Sequence, residues 1–474
     1  MKVATKSGIK AATLAAISVF LLTACEDPRR VSWSPDGSAL AVVGGDGLRI
    51  ADSDGNLGEA KAGVELVNWF PGDSKRVLAV EYEKVSTWEQ VKENESPDDV
   101  KKVMATANSM LAAAKQNKGD WKSFEKSVGD LSFNREAVIY LRENKDKEMS
   151  LTGENWRTIK TTVDVGIHRF CAYDVADKRL ANRKEIFRTL RDVKEVRVNP
   201  LGNSFLLVTR PETSFDAAYT LSLVTMSGKS KVVSNACSTF PDWSEDGKEF
   251  YYIDADLPSV LPETDFKQTA LIGSLTSSTW HLTDADAVDV GEKRKYASVY
   301  FNKNSRVRRL SDQSIVFSSA PVELPGTGPQ IVRKPTLFQF RPGKSAMVSR
   351  MIPVDEPEVG GDLMEFFEFN QSGNLVAIPS SKEGTIVYDV QTGSSRRVDG
   401  GGFRWSKRLS FFPTWKSESE LCLGMKPEPA SSSTGAAPDL DTNEITIWNS
   451  SDEHVRSLSE KWPVSVRKKF LDPN

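Results

Sequence analysis

The chain has 474 residues, of which 39% are hydrophobic, 9% aromatic and 27% charged, and its formal net charge is −3. This composition belongs to a folded protein and excludes both a disordered chain and a multi-span membrane protein. Residues 1–24 carry Lys2, Lys6 and Lys10 and no acid, so taking three positive charges from −3 leaves −6 for the remainder, which excludes the basic footprint of a nucleic-acid binder.

The first element is a targeting segment. Three lysines lie in residues 1–10, residues 11–22 (AATLAAISVFLL) are apolar, and Thr23 and Ala24 precede Cys25, in the order of a secretory signal. An apolar run of about 12 residues is too short for a transmembrane helix, which needs roughly 20. Leu22-Thr23-Ala24-Cys25 resembles the bacterial lipobox. That resemblance implies a signal peptide over 1–24, acylation of the Cys25 sulfur and a short lipidated tether over 25–30. Acyl chains, at about 0.8 kcal/mol per buried CH₂, hold a domain at a membrane. By analogy with lipoprotein sorting, Glu26 in place of Asp after the cysteine points to the periplasmic side of an outer membrane.

From residue 31 onwards the chain repeats. "VSWSPDGSALAVVGGDGLRIADSDG" (31–55) reads as strand, tight turn, strand, short turn, strand, turn, and "FPDWSEDGKEFYYIDAD" (240–256) repeats its front half. Looser copies begin at Val67, Val196, Phe338, Phe367 and Phe412. Each places an aromatic or Val before a polar turn and a β-rich run after it. Pro35 presets φ, and Gly37 and Gly247 supply the positive φ of the turn. The aromatic is expected to pack between neighbouring sheets. Further hairpins, "TLSLVTMSGKSKVV" (220–233), "TIVYDVQTGSSRRV" (385–398) and "EITIWNSSDEHVRSL" (444–458), read as the outer half of a four-stranded unit.

Trp33 and Trp69 are 36 positions apart and Val198 and Trp243 are 45 apart, spacings of the propeller-blade kind. With its Trp33-Ser34-Pro35-Asp36-Gly37 core, the chain resembles the TolB-like family of β-propellers over about residues 29–460, without room for that family's amino-terminal domain. The resemblance implies an all-β propeller over 31–460, with about seven four-stranded blades and a range of six to eight. A tail or closing strand is expected over 461–474. Two stretches interrupt the period. "SPDDVKKVMATANSMLAAAKQ" (96–116) opens with an N-cap Ser and Pro97 and spaces Val100, Val103, Met104, Ala107, Leu111 and Ala114 helically. Trp121, Phe124 and Val128 mark a second helix, so a helical hairpin over about 89–133 is expected in the second blade, packed on itself and on the propeller or acting as a docking helix or lid. "PEPASSSTGAAPDLDTN" (427–443) reads as a flexible loop in the last blade.

Chemistry is sparse. His168, His281 and His454 are more than 100 positions apart, with no second ligand at metal spacing, so no metal residue is assigned. No G-x-S-x-G elbow occurs, "SGKS" (227–230) and "PGKS" (342–345) lack the earlier P-loop glycine, and "DSDGN" (52–56) lacks the glycine and Glu of a calcium loop, so each reads as a turn. "YDVQTG" (388–393) resembles the D-x-x-T-G turn of quinoprotein propellers in a single copy. The sequence therefore assigns no catalytic, cofactor or metal residue, and Cys25 is the one assigned site, for lipidation. Cys171, Cys237 and Cys422 could form at most one disulfide, and the plain expectation is three buried thiols. The expected function is that of a monomeric, lipid-anchored, non-catalytic envelope propeller, binding a protein or glycan through one face. The alternatives are a lyase, hydrolase or quinoprotein with its site at the central channel, or an envelope assembly or scaffold factor.

Overall fold

The computed structural model describes residues 30–118, 120, 122–124, 135–210, 218–255, 272–283, 287–301, 303–319, 336–342, 348–351, 366–379, 384–398, 413–425 and 444–469. The signal segment, Cys25 and the 427–443 loop lie outside them.

The repeated turn explains itself in local hydrogen bonds. Ser34 Oγ donates to Asp36 Oδ1 at 2.7 Å and accepts from Ala39 N at 2.9 Å, while Gly37 turns the chain at φ 68°. Ser244, Asp246, Glu249 and Gly247 repeat this arrangement, with distances of 2.7 and 2.9 Å and φ 66°. The hydroxyl and carboxylate thus satisfy backbone amides that a tight turn leaves without partners. Burial would raise the carboxyl pKa of Asp36, but the Ser34 hydroxyl and Ser38 amide outweigh it and hold the group well below the usual range.

Strands follow each turn, and all pair antiparallel within their sheets. The first sheet is β1 (Val31–Trp33), β2 (Ala39–Gly44) and β3 (Gly47–Asp52). The second is β4 (Val64–Phe70), β5 (Asp73–Val85), β6 (Val165–Ala176) and β7 (Arg179–Thr189). A nine-stranded sheet then takes β8 (Val193–Val198), β9 (Ser204–Thr209), β10 (Tyr219–Thr225), β11 (Ser230–Cys237), β12 (Asp242–Trp243), β13 (Glu249–Ala255), β14 (Ile272–Leu282), β15 (Val288–Val290) and β16 (Arg294–Tyr300). Three four-stranded sheets complete the order, opening with β17 (Val307–Arg309), β21 (Glu368–Phe369) and β25 (Thr414–Trp415) and running to β28 (Val455–Ser457).

The arrangement is a β-propeller, but the expected count of about seven separate four-stranded blades is corrected to five. Five sheets have four strands or more among the described residues, four of them four-stranded and one nine-stranded. The repeat period overcounts for two reasons. Cys237 on β11 pairs with Asp254 on β13, joining what the spacing treats as two blades, and the first sheet has only three strands.

Successive first strands are held together by the aromatic of each repeat. Trp69, Trp243 and Trp415 each donate the indole Nε1–H, at 2.9 Å, to the carbonyl of the preceding first strand, at Ser32, Arg197 and Glu368 respectively. Turn contacts add to this, with Asn199 Nδ2 on Gly247 O at 2.7 Å and Asn370 Nδ2 on Glu418 O at 2.9 Å. The first and last sheets close on each other through one apolar cluster that includes Val31, Trp33, Leu40, Cys422, Ile447 and Trp462. No strand crosses that closure among the described residues, so side-chain packing makes it. The C-terminal segment expected as a tail or closing strand holds a helix, Val464–Lys469.

The hairpin expected over about 89–133 is also corrected. Between β5 and β6 lie α1 (Trp88–Asn94), α2 (Pro97–Gln116), α3 (Arg135–Asn144), α4 (Asp146–Met149) and α5 (Glu154–Thr162), so the helical segment runs on to residue 162. Most of the expected second helix, including Trp121 and Val128, falls outside the described residues. The extension has a packing cause. Met110, Leu111 and Ala114 of α2 are buried against Val138 and Leu141 of α3 and Trp156 of α5, which gives the helices a core of their own. A second cluster, with Val85, Val91, Ile139 and Ile167, joins that core to the sheet. No helix among the described residues is long and apolar enough to cross a membrane.

Candidate functional site

Short first strands gather at the hub of the ring. They and their leading residues line a cavity of about 160 Å³, whose polar lining residues are Ser32, Asn68, Arg197, Arg306, Glu368 and Thr414. The rest of its wall is apolar, made by Val31, Val67, Phe240, Phe366 and Pro413. Phe240 and Phe366 meet edge to face at 5.9 Å between centroids, and the Arg306 guanidinium lies 5.3 Å from the Phe240 centroid.

The charged groups answer one another. Glu368 takes Arg306 Nη2 at 2.8 Å on one oxygen and Arg308 Nη2 at 2.6 Å on the other. Asp242 lies 3.5 Å from Arg308 and accepts the Arg309 amide at 3.0 Å. Behind them the buried Glu195 carboxylate is 3.5 Å from Arg197 Nε. Burial alone would lower the Arg308 pKa, but Glu368 and Asp242 outweigh it and drive it above the ordinary arginine value. The guanidiniums at the hub are therefore fixed cations, joined to the carboxylates by charge-assisted contacts. Asn68 Nδ2, buried in the wall, has no hydrogen-bond partner among the described residues.

None of the hub residues was singled out from sequence. Arg197 sits between Val196 and Val198, and Arg306, Arg308 and Arg309 crowd "SRVRRL" (305–310). A charge between apolar residues of a strand, as at Arg197 and Arg308, is the one local signal the sequence carries.

A second polar cluster lies on β5 to β7. Glu81 is held by Arg183 at 2.8 Å and accepts from the Tyr173 hydroxyl and, at 3.6 Å, from the Cys171 thiol. Burial and then Glu81 push the Cys171 thiol up to about 12. Burial does the same to Cys422, also to about 12, and raises Cys237 well above its usual value. All three cysteines are free and buried.

The other sequence motifs stand apart from the hub. His168 is buried on β6 with Nδ1 3.4 Å from Glu65, while His281 is exposed on β14, 3.5 Å from Asp289. Asp52 of "DSDGN" accepts from the Asn56 amide at 2.8 Å, and Asp389 of "YDVQTG" accepts from Gln391 and Thr392 N at 2.8 and 3.0 Å, so both close their own turns. "SGKS" joins β10 to β11, whereas Lys344 and Ser345 of "PGKS" lie outside the described residues. No group of three or more His, Cys, Asp or Glu that could hold a metal occurs among the described residues.

Fold and site together define a β-propeller with a polar, charge-balanced hub and a helical segment planted in one sheet. Among solved structures, the chain is similar to a putative TolB from Agrobacterium tumefaciens, at 14% identity over 58% of this chain and 84% of that one, with a TM-score of 0.34. It is also similar to the β-propeller domain of the Trilobed protease from Pyrococcus furiosus (10%, 92% and 100%, TM-score 0.44). A third is oligogalacturonate lyase from Vibrio parahaemolyticus (10%, 64% and 77%, TM-score 0.35). No family profile matches the chain, and no curated protein matches it in sequence.

Proposed function

We propose that this chain is a lipid-anchored β-propeller of the bacterial cell envelope that binds a protein or glycan partner through one face of the ring and performs no chemistry of its own. The observation that carries this reading is the commitment of the hub charges to one another: Glu368 holds both Arg306 and Arg308, and Asp242 holds Arg308. Side chains taken up by one another in this way hold the first strands together, a structural use of the hub charges that supports a non-catalytic reading. The envelope assignment rests on Leu22-Thr23-Ala24-Cys25, with acylated Cys25 as the anchor and the outer membrane as the favoured location. An enzyme with its site at the channel is the competing reading, favoured by the hub cavity itself.

The test uses the full chain in its native host. Mass spectrometry should find an acylated peptide beginning at Cys25, and crosslinking followed by affinity recovery should return a specific envelope partner. An unacylated Cys25, or recovery of no specific partner with several crosslinkers, overturns the reading.

A further inference from the structure

We propose that the hub cavity binds a small carboxylate monoanion, its carboxylate held by an arc of donors and its short apolar tail laid against the aromatic wall. The inference rests on the binding role proposed above and names the chemistry recognised at the hub. A free short-chain acid and the carboxyl terminus of a polypeptide both offer this group, and the test separates the two sources.

Charge is the first argument. The charged residues lining the cavity are Arg197, Arg306 and Glu368, so two cations less one anion leave the wall at +1. Both Glu368 oxygens are engaged, one by Arg306 and the other by Arg308. Glu195, beside Arg197, and Asp242, beside Arg308, are not part of the lining. A monoanion brings this wall to neutrality, whereas a cation or a dianion leaves a sheltered charge uncompensated.

The placement of the donors is the second. Thr414 on β25, Ser32 on β1, Asn68 on β4 and Arg197 on β8 lie on strands that follow one another at the hub. This arc brings hydroxyls, an amide and a guanidinium together and carries no carboxylate. Asn68 Nδ2 is buried without a protein partner among the described residues, so it gains a hydrogen bond when an acceptor enters. An ionised carboxylate is a pure acceptor with two oxygens, and its bonds from guanidinium and amide N–H groups are charge-assisted.

Size is the third. The cavity of about 160 Å³ is close to the roughly 150 Å³ that holds a benzene molecule. Isobutyrate has as many non-hydrogen atoms as benzene. Phe240 and Phe366 meet edge to face on the wall, with Pro413 beside them in the lining, which suits a branched tail of a few carbons and excludes a long one.

The full chain is titrated by calorimetry and saturation-transfer NMR with isobutyrate and isovalerate. Isobutyramide serves as the neutral counterpart, isobutylamine as the cation and inorganic phosphate as the more highly charged anion. At least one acid should bind, and at least about tenfold more tightly than the amide, the amine or phosphate. Asn68→Ala should weaken isobutyrate about tenfold, with the melting temperature held because that donor has no protein partner to lose. Asn68→Asp puts a like charge in the donor arc and should weaken it about a hundredfold. The tripeptide alanyl-alanyl-valine is compared with its carboxyl-terminal amide. If the tripeptide acid binds more tightly than isobutyrate, and its amide does not bind, the site takes a polypeptide terminus. A tripeptide acid that binds no more tightly assigns it to a free acid.

The proposal is overturned if neither acid binds, if the amide, the amine or phosphate binds as tightly as the acids, or if both Asn68 variants bind isobutyrate as the unmodified protein does. An acylated Cys25 and a recovered envelope partner, in a chain that binds no carboxylate, would overturn this inference alone and leave the proposed function standing.

Discussion

Trp462 donates its indole N–H to the carbonyl of Gly55 at 2.6 Å, across 407 residues of sequence. The bond ties the last sheet to the first where no strand does so among the described residues. Trp462 is buried in the same cluster as Val31, Trp33, Cys422 and Ile447, so closure of the ring depends on apolar packing around one indole. Trp462→Ala is expected to cost about 3–5 kcal/mol, the usual penalty for emptying a buried tryptophan site. Denaturant unfolding followed by circular dichroism measures it, and a loss below about 1 kcal/mol would mean that closure lies elsewhere.

Trp243 tests the repeated indole bond between first strands. Trp243→Phe keeps most of the apolar contact with Phe250 and Trp280 but leaves the Arg197 carbonyl without its 2.9 Å donor. A loss of about 1–2 kcal/mol is expected, read from the shift in the urea midpoint at unchanged slope.

Gly247 turns the chain at φ 66°, and a Cβ there would stand 2.3 Å from Asn199 Oδ1. Gly247→Ala should therefore destabilise by about 1–3 kcal/mol, through backbone strain and through disruption of the Asn199 contact between neighbouring turns. Equal stability of the two proteins in thermal unfolding would refute this.

Asp192 joins the helical segment to the ring through a 2.7 Å ion pair with Arg135 of α3. Burial would raise its pKa, but Arg135, Lys194 and Arg210 outweigh burial and lower it. A lowered folded-state pKa contributes stability that is present above the unfolded value, about 3.9, and is lost as pH falls through the folded value. The protection of α3 amides, after correction for the intrinsic pH dependence of exchange, should therefore fall below about pH 4 in the unmodified protein. Asp192→Asn should already exchange faster at pH 7 and should show a weaker acid dependence.

Cys171, Cys237 and Cys422 are buried with raised thiol pKa values. Since the thiolate is the reacting form, iodoacetamide at pH 8 should leave these three peptides unmodified in the native protein and label them all after unfolding. Rapid native labelling of any one of them, assigned by mass spectrometry, would show that its burial is breached.

The sequence by itself determined the turn and the pairing that follows it. Ser34, Asp36, Gly37 and Ala39 complete their hydrogen bonds within six positions, so their chemistry is readable wherever it recurs, as at Ser244 to Glu249. Strands that pack between sheets need only apolar residues flanked by such turns, which is why the propeller class was legible before its geometry. The number of blades was not, because the spacing of aromatics does not reveal that Cys237 and Asp254 pair across two repeats. The extent of the helical segment was likewise hidden, since Trp156 finds Met110 and Leu111 only in the folded core.

Only the tertiary structure decided the hub. Arg308 meets Glu368 across 60 positions and Asp242 across 66, and each is an ordinary charged residue in its own stretch of chain. Ring closure brings these strand starts around one axis, and the energy of a charge depends on what lies within a few ångströms of it, which no local pattern encodes.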